Sequence, residues 1–208
     1  YPFFGGAEPV IVRKAMRPNQ RLVMTYHMDA AADGVKGALF SAHRRLLFPW
    51  LVNRVDRILV SSFDYAKHSA LAELDVDDRI EEHPFGVDLD RFHPGDETEL
   101  RERHQIPHKT PILLFVGGLD DAHAFKGLPQ LLDALEDLAE EDWQLVIVGD
   151  GNLKETYRAL TMEKGIDSRV TFAGSVCSED LPRYYRLADF HLFPSTKRAE
   201  AFGLVALE

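Results

Sequence analysis

Short apolar runs recur along this chain, separated by stretches whose apolar residues fall at helical spacing. Runs at 21–26, 57–61, 112–116, 144–148, 170–172 and 189–193 each read as a buried strand, with a further short candidate within 76–83. Between them, 63–73, 128–139, 153–164 and 179–187 read as helices. The pattern is sharpest in 128–139, where apolar side chains at 128, 131, 132, 135 and 138 share one face. Strands alternating with such helices predict an α/β fold on a parallel sheet covered on both faces.

Two stretches break the rhythm. Residues 84–95 are dense in Pro, Gly and Asp, which predicts a boundary between two domains. The expected division is a first domain over 1–88, a linker over 89–96 and a second domain over 97–208. Residues 39–52 mix basic and apolar side chains, with His43, Arg44 and Arg45 beside Leu46, Leu47, Phe48 and Trp50. Such a segment suits a membrane surface, but Pro49 interrupts it, and a helix facing a core is the favoured reading. The opening twenty residues are uneven, with a short helical stretch at 10–16. Gly5-Gly6 has no strong strand before it and is not read as a phosphate turn.

Composition narrows the classes. Hydrophobic residues make up 45% of the 208, enough to build a core. No run approaches the roughly eighteen apolar residues of a membrane span, and the first residues lack the pattern of a secretory signal. With 34 acidic against 24 basic residues the net charge is -10, which argues against broad nucleic-acid binding. A local basic pocket for a phosphate stays open. Cys177 is the one cysteine, so no internal disulfide forms, which fits a reducing, cytoplasmic setting.

Candidate chemistry concentrates at the expected carboxyl ends of strands, where ligands bind in open α/β sheets. The strand at 189–193 stops at Pro194, a polar loop carries Glu200, and a helix is expected from about Gly203. Glu208 then falls about two turns into that helix, on the side facing the loop. The two carboxylates read either as holding two parts of an extended polar ligand, with an anion at the helix start, or as ordinary solvated side chains. Lys126 precedes Gly127 at a strand-to-helix loop, where an ammonium meets a phosphate or simply decorates a helix start. His27 ends the strand at 21–26 and is open to a functional or a structural reading. The loops at Gly117-Gly118 and Gly149-Asp150-Gly151-Asn152 match neither the dinucleotide fingerprint nor the nucleotide triphosphate loop.

Taken in order, the chain resembles the retaining glycosyltransferases of the two-domain GT-B fold, specifically the large family four that uses nucleotide-sugar donors. The resemblance is carried by Thr25-Tyr26-His27, Pro84-x-Gly86-Val87-Asp88-x-x-x-Phe92-x-Pro94, Phe115-Val116-Gly117 with Lys126-Gly127, and Val148-Gly149-Asp150-Gly151. It continues through Val170-x-Phe172-x-Gly174, Leu181-x-x-Tyr184-Tyr185-x-x-Ala188-Asp189, and Pro194-Ser195 leading into Glu200-Ala201-Phe202-Gly203-x-x-x-x-Glu208. It implies two Rossmann-like parallel-sheet domains facing a cleft, both incomplete here, and transfer of a hexose-type sugar from a nucleotide diphosphate sugar to a hydroxyl acceptor.

The resemblance also implies roles. Glu200 stands for the glutamate near the donor sugar hydroxyls and Glu208 for the one holding the ribose. Lys126 stands for the lysine that neutralises the diphosphate, with backbone N–H groups around Phe202, Gly203 and Leu204 in support. Gly117, Gly149 and Gly151 belong to the donor-binding loops, and His27 stands for the histidine near the reacting sugar. No carboxylate nucleophile is assigned. No bound cofactor and no strict metal requirement are expected. The partners implied are the donor and a sugar or lipid-linked acceptor, with peripheral membrane contact left open and no nucleic acid. Donor base, sugar and acceptor are not legible.

Two departures stand out. Gly118 occupies the place where the family usually has an arginine, and the longer loop holds His123 instead; Lys197 and Arg198 are candidate substitutes. The chain is also about half the usual length, from which poor stability and inactivity of this stretch alone are expected. Non-catalytic nucleotide-sugar binding, or a GT-B fold epimerase or phosphorylase, are the rival readings.

Overall fold

The computed structural model describes residues 9–12, 19–29, 34–197 and 200–208. The chain divides into two compact units, Tyr1–Gly86 and Val87–Glu208. Residues 89–96, expected to link them, fall within the second unit. There Arg91 donates to Ser178 Oγ at 2.8 Å, and the Phe92 ring meets Tyr185 edge-on at 5.7 Å. Gly5-Gly6 and part of the expected helix at 10–16 lie outside the described residues; residues 9–12 form a helical turn.

The first unit carries three parallel strands in the order β1-β2-β3: β1 (Val23–Tyr26), β2 (Arg57–Val60) and β3 (Ile80–Glu82). Tyr26, Ile58 and Val60 point into a core shared with Phe48, Val52 and Leu71. The 39–52 segment forms two helices. Helix α1 (Gly34–Leu46) buries none of its residues, and Val35, Leu39 and Leu46 are exposed. Helix α2 (Phe48–Val52) takes Pro49 into its first turn, where no backbone N–H is needed, and buries Phe48, Leu51 and Val52. The core-facing expectation therefore describes α2 and not α1. Arg79 closes the end of α2 by donating to the carbonyls of Val52 at 3.1 Å and Val55 at 2.9 Å. The helix expected at 63–73 is a short α3 (Phe63–Ala66) followed by a 3-10 turn (Ala70–Glu73). Ser62 and Ser69 cap the two pieces, so each starts afresh.

The second unit has four parallel strands in the order β6-β5-β4-β7. They are β4 (Ile112–Val116), β5 (Gln144–Val148), β6 (Val170–Gly174) and β7 (Phe190–His191). In β4 and β5 nearly every residue is apolar because both faces are covered. Phe115, Leu145 and Ile147 turn toward α5 (Leu128–Glu136) and α6 (Lys154–Glu163). Ile112, Leu114, Val146 and Val148 turn to the opposite face, toward α4 (Thr98–Arg103) and α7 (Leu181–Leu187). On α5, Leu128, Leu131, Leu132 and Leu135 are buried, as the spacing predicts.

Helices α4 and α7 are joined by charge as well. Arg183 donates to Glu97 at 2.8 and 2.9 Å and to Glu99 at 2.8 Å. Glu97 also accepts from Leu100 N, capping α4, and the Arg183 guanidinium holds its carboxyl below the usual range. Among the described residues no helix is long and apolar enough to cross a membrane.

Candidate functional site

Because all four strands of the second unit run parallel, the loops after β4, β5 and β7 emerge on one rim. They are stitched together by backbone hydrogen bonds. Gly117 N donates to Val148 O at 3.0 Å, Leu119 N to Asp150 O at 2.9 Å, and Leu153 N to Leu119 O at 2.8 Å. Thr196 N donates to Phe125 O at 2.9 Å, tying the β7 loop to the β4 loop. Gly149 and Gly151 sit at these crossings. A Cβ on Gly149 would lie 1.9 Å from Gly117 O, and one on Gly151 2.3 Å from Leu119 O.

From the sequence, the β4 loop reads only as a strand-to-helix loop. It contains a 3-10 helix (Asp121–Lys126), capped by the Asp120 carboxylate on the N–H groups of Ala122 at 2.9 Å and His123 at 3.2 Å. Gly127 then turns the chain into α5 with φ +76, a conformation only glycine adopts cheaply. Its missing side chain also lets Pro194 O approach, since a Cβ would lie 2.2 Å from that oxygen.

This geometry presents Lys126. Its stem crosses Gly117, and its Nζ lies 2.8 Å from Glu200 Oε2. Ser195 Oγ donates to the same oxygen at 3.2 Å. The Lys126 and Glu200 side chains are only 13% and 16% exposed, so the pair is shielded from bulk water. The ammonium lies 6.0 and 5.9 Å from the ring centroids of Phe125 and Phe193. His191 lies close by; burial, with the Lys126 charge added, holds its imidazole below the usual range. Its Nε2 is buried and has no hydrogen-bond partner among the described residues.

Glu208 has different partners. The Tyr185 hydroxyl on α7 donates to its Oε2 at 2.9 Å and to Val205 O at 3.1 Å. Burial first, then the Glu208 charge, push the Tyr185 phenol well above its ordinary range. Glu208 lines a cavity of about 200 Å³ with Phe92, His93, Pro182, Tyr185 and Arg186. The helix expected from Gly203 is a single 3-10 turn (Leu204–Ala206), entered through Gly203 at φ +73. Phe202 is half-buried, Gly203 buried and Leu204 exposed. Of the two suggested substitutes for the family's arginine, Lys197 is exposed and Arg198 lies outside the described residues.

His27 belongs to the first unit. It is exposed just past β1, its ring stacked on Phe85 with centroids 5.1 Å apart. The loop after it is anchored by Asp29, whose carboxylate accepts from the Tyr26 hydroxyl and from Ala70 N, while its own N–H donates to the Tyr65 hydroxyl at 2.8 Å. Sequence reasoning missed Asp29, Ser195 and the roles of Tyr185 and Asp120. Tyr185 and Ser195 lay in quoted motifs, without these roles; Asp29 and Asp120 did not. Among the described residues no group of three or more His, Cys, Asp or Glu side chains is placed to hold a metal ion.

A family profile described as glycosyl transferases group 1 matches residues 96–208. The chain belongs to this family. The GT-B fold is shared with solved structures: Anabaena Alr3699/HepE in complex with UDP superposes with a TM-score of 0.72 at 19% identity, covering 91% of this chain and 50% of that one. The chain is 33% identical over 190 residues to D-rhamnosyltransferase WbpZ of Pseudomonas aeruginosa, covering 91% of this chain and 46% of that protein. It is 34% identical over 138 residues to the GDP-mannose-dependent alpha-(1-6)-phosphatidylinositol monomannoside mannosyltransferase of Mycobacterium tuberculosis, covering 62% of this chain and 35% of that protein. The chain thus spans a third to a half of the curated relatives it matches.

Proposed function

We propose that the whole protein is a retaining glycosyltransferase that moves a hexose-type sugar from a nucleotide diphosphate sugar to a hydroxyl acceptor. The observation that carries this reading is the shielded juxtaposition of Lys126 and Glu200 at the strand-end rim. An ammonium held there suits a diphosphate, and a carboxylate beside it suits sugar hydroxyls. In the reaction the bond between the anomeric carbon and the donor phosphate oxygen breaks, and its electron pair leaves with the nucleoside diphosphate. Lys126 offsets the charge that develops there. The acceptor oxygen bonds to the same face of the carbon, and its proton passes to the departing phosphate oxygen. Glu208 holds the ribose, and backbone groups of Phe202, Gly203 and Leu204 support the diphosphate. His27 serves the reacting sugar, so His27→Ala is expected to lower kcat with little change in nucleoside diphosphate affinity.

Turnover of UDP-, GDP- and ADP-sugars by the full-length protein tests the reading, with GDP-mannose first because the M. tuberculosis relative is named for it. Product of retained anomeric configuration, seen by NMR, supports it; an inverted product contradicts it. Binding without turnover across an acceptor panel assigns a nucleotide-sugar-binding module instead. A lipid-linked acceptor also fits α1, whose exposed Val35, Leu39 and Leu46 stand among Lys36, Arg44 and Arg45. Flotation with anionic liposomes, lost on R44E/R45E, is the expected result for that contact.

A further inference from the structure

The loop after β4 holds two adjacent glycines, and each is covered by a basic side chain from the same 3-10 helix. A Cβ at Gly117 would lie 2.6 Å from Lys126 Cδ. One at Gly118 would lie 2.6 Å from His123 Nδ1 and 2.9 Å from its Cγ. Residues three apart on a 3-10 helix eclipse one another, so His123 and Lys126 share one face of Asp121–Lys126. Both therefore lie back across the end of β4. The glycine pair is the clearance that allows it.

The His123 ring is also fixed. Its Nδ1 is 2.9 Å from both oxygens of Asp120, the same carboxylate that caps the helix. The hydrogen bond from His123 is the main reason the Asp120 carboxyl lies below its ordinary range. A histidine whose Nδ1 donates to a carboxylate keeps Nε2 as the second ring nitrogen for a ligand. The neighbouring Asn152 amide donates to Asp121 at 2.8 Å, which engages the other acid of this turn.

We infer that His123 is a second donor-binding residue of this site, contacting the diphosphate through Nε2 beside Lys126. This rests on the nucleotide-sugar reading above. The ligand class is a nucleoside diphosphate group, and the contact is a charge-assisted N–H to phosphate oxygen. Asp120 acts through His123 as a positioning residue. It sets which nitrogen faces outward.

Calorimetric titration of the full-length protein with UDP, GDP and ADP, and with the matching nucleosides, tests the assignment. His123→Ala is expected to weaken the preferred nucleoside diphosphate by about 10-fold or more, leaving the nucleoside and the melting temperature unchanged. Gly118→Ala, which displaces the ring without removing it, should give a similar loss in the native background and none beside His123→Ala. Equal diphosphate affinity in His123→Ala, while Lys126→Ala still loses it, overturns this inference and leaves the donor reading standing. Equal losses for diphosphate and nucleoside also overturn it, since that pattern marks a structural role. A native protein that binds no nucleoside diphosphate removes the donor reading and this inference together.

Discussion

Lys126 Nζ and Glu200 Oε2 lie 2.8 Å apart, although 74 residues separate them in the chain, and neither side chain is more than 16% exposed. A shielded pair of this kind is costly to break on one side only, because the survivor is left as an uncompensated charge. Lys126→Met or Glu200→Leu alone is therefore expected to lower stability by about 1–3 kcal/mol. The double variant should lose less than the sum of the two. Equilibrium denaturation of the four proteins measures this coupling, and strict additivity would show that the pair is not felt in the folded state.

The Tyr185 hydroxyl steers Glu208 in the same sense, from α7. Tyr185→Phe keeps the ring in its packing against Phe92 and His191 but releases the carboxylate. A several-fold rise in donor KM with little change in melting temperature is expected. An unchanged KM would mean that Glu208 is positioned by other contacts.

Gly127 is the stability hinge of the rim. At φ +76, with Pro194 O against the space a Cβ would fill, Gly127→Ala carries both backbone strain and a collision with backbone. A loss of about 2–4 kcal/mol is expected. Donor affinity should fall with it, since the collision separates the β4 and β7 loops that hold Lys126 and Glu200. A loss below about 0.5 kcal/mol would contradict the contact.

Two histidines predict acid sensitivity. Burial holds both His191 and His104 below their ordinary range, helped by Lys126 and Arg103 respectively. Well above about pH 6.5 neither folded nor unfolded chain protonates them appreciably, so they impose no penalty. As pH falls below that value the unfolded chain takes up protons first, and stability drops until the folded imidazoles also protonate. His191→Leu removes one of these groups together with a buried Nε2 that has no partner among the described residues. The stability of the variant should fall less steeply between about pH 6.5 and 5. An unchanged slope would show that His191 does not contribute.

Much of this was legible in the chain because the second unit is regular. Runs such as Ile112–Val116 and Gln144–Val148 are apolar at almost every position, as strands of a sheet covered on both faces are. The spacing of Leu128, Leu131, Leu132 and Leu135 gave the buried face of α5 directly. Their places in strand-end loops brought Lys126 and Glu200 into consideration and the family resemblance gave them roles, but their contact arises from loop crossings that periodicity does not encode. Asp120 illustrates the limit. Its carboxylate caps a 3-10 helix and orients His123, a role written in loop geometry rather than in any repeat. Helix α1 differs: a core-facing helix is the favoured reading of 39–52, yet none of the α1 residues is buried.

The central claim is that Lys126 serves the diphosphate and Glu200 the sugar. The most direct measurement compares the affinity of the full-length protein for a nucleoside diphosphate and for the matching nucleotide sugar, in native, Lys126→Ala and Glu200→Gln forms. Lys126→Ala should weaken both ligands by about 10-fold or more. Glu200→Gln should leave the nucleoside diphosphate bound as well as before, weaken the nucleotide sugar and lower turnover. A Glu200→Gln protein that keeps full sugar-nucleotide affinity and turnover, or loses the nucleoside diphosphate as severely as Lys126→Ala, would contradict the account.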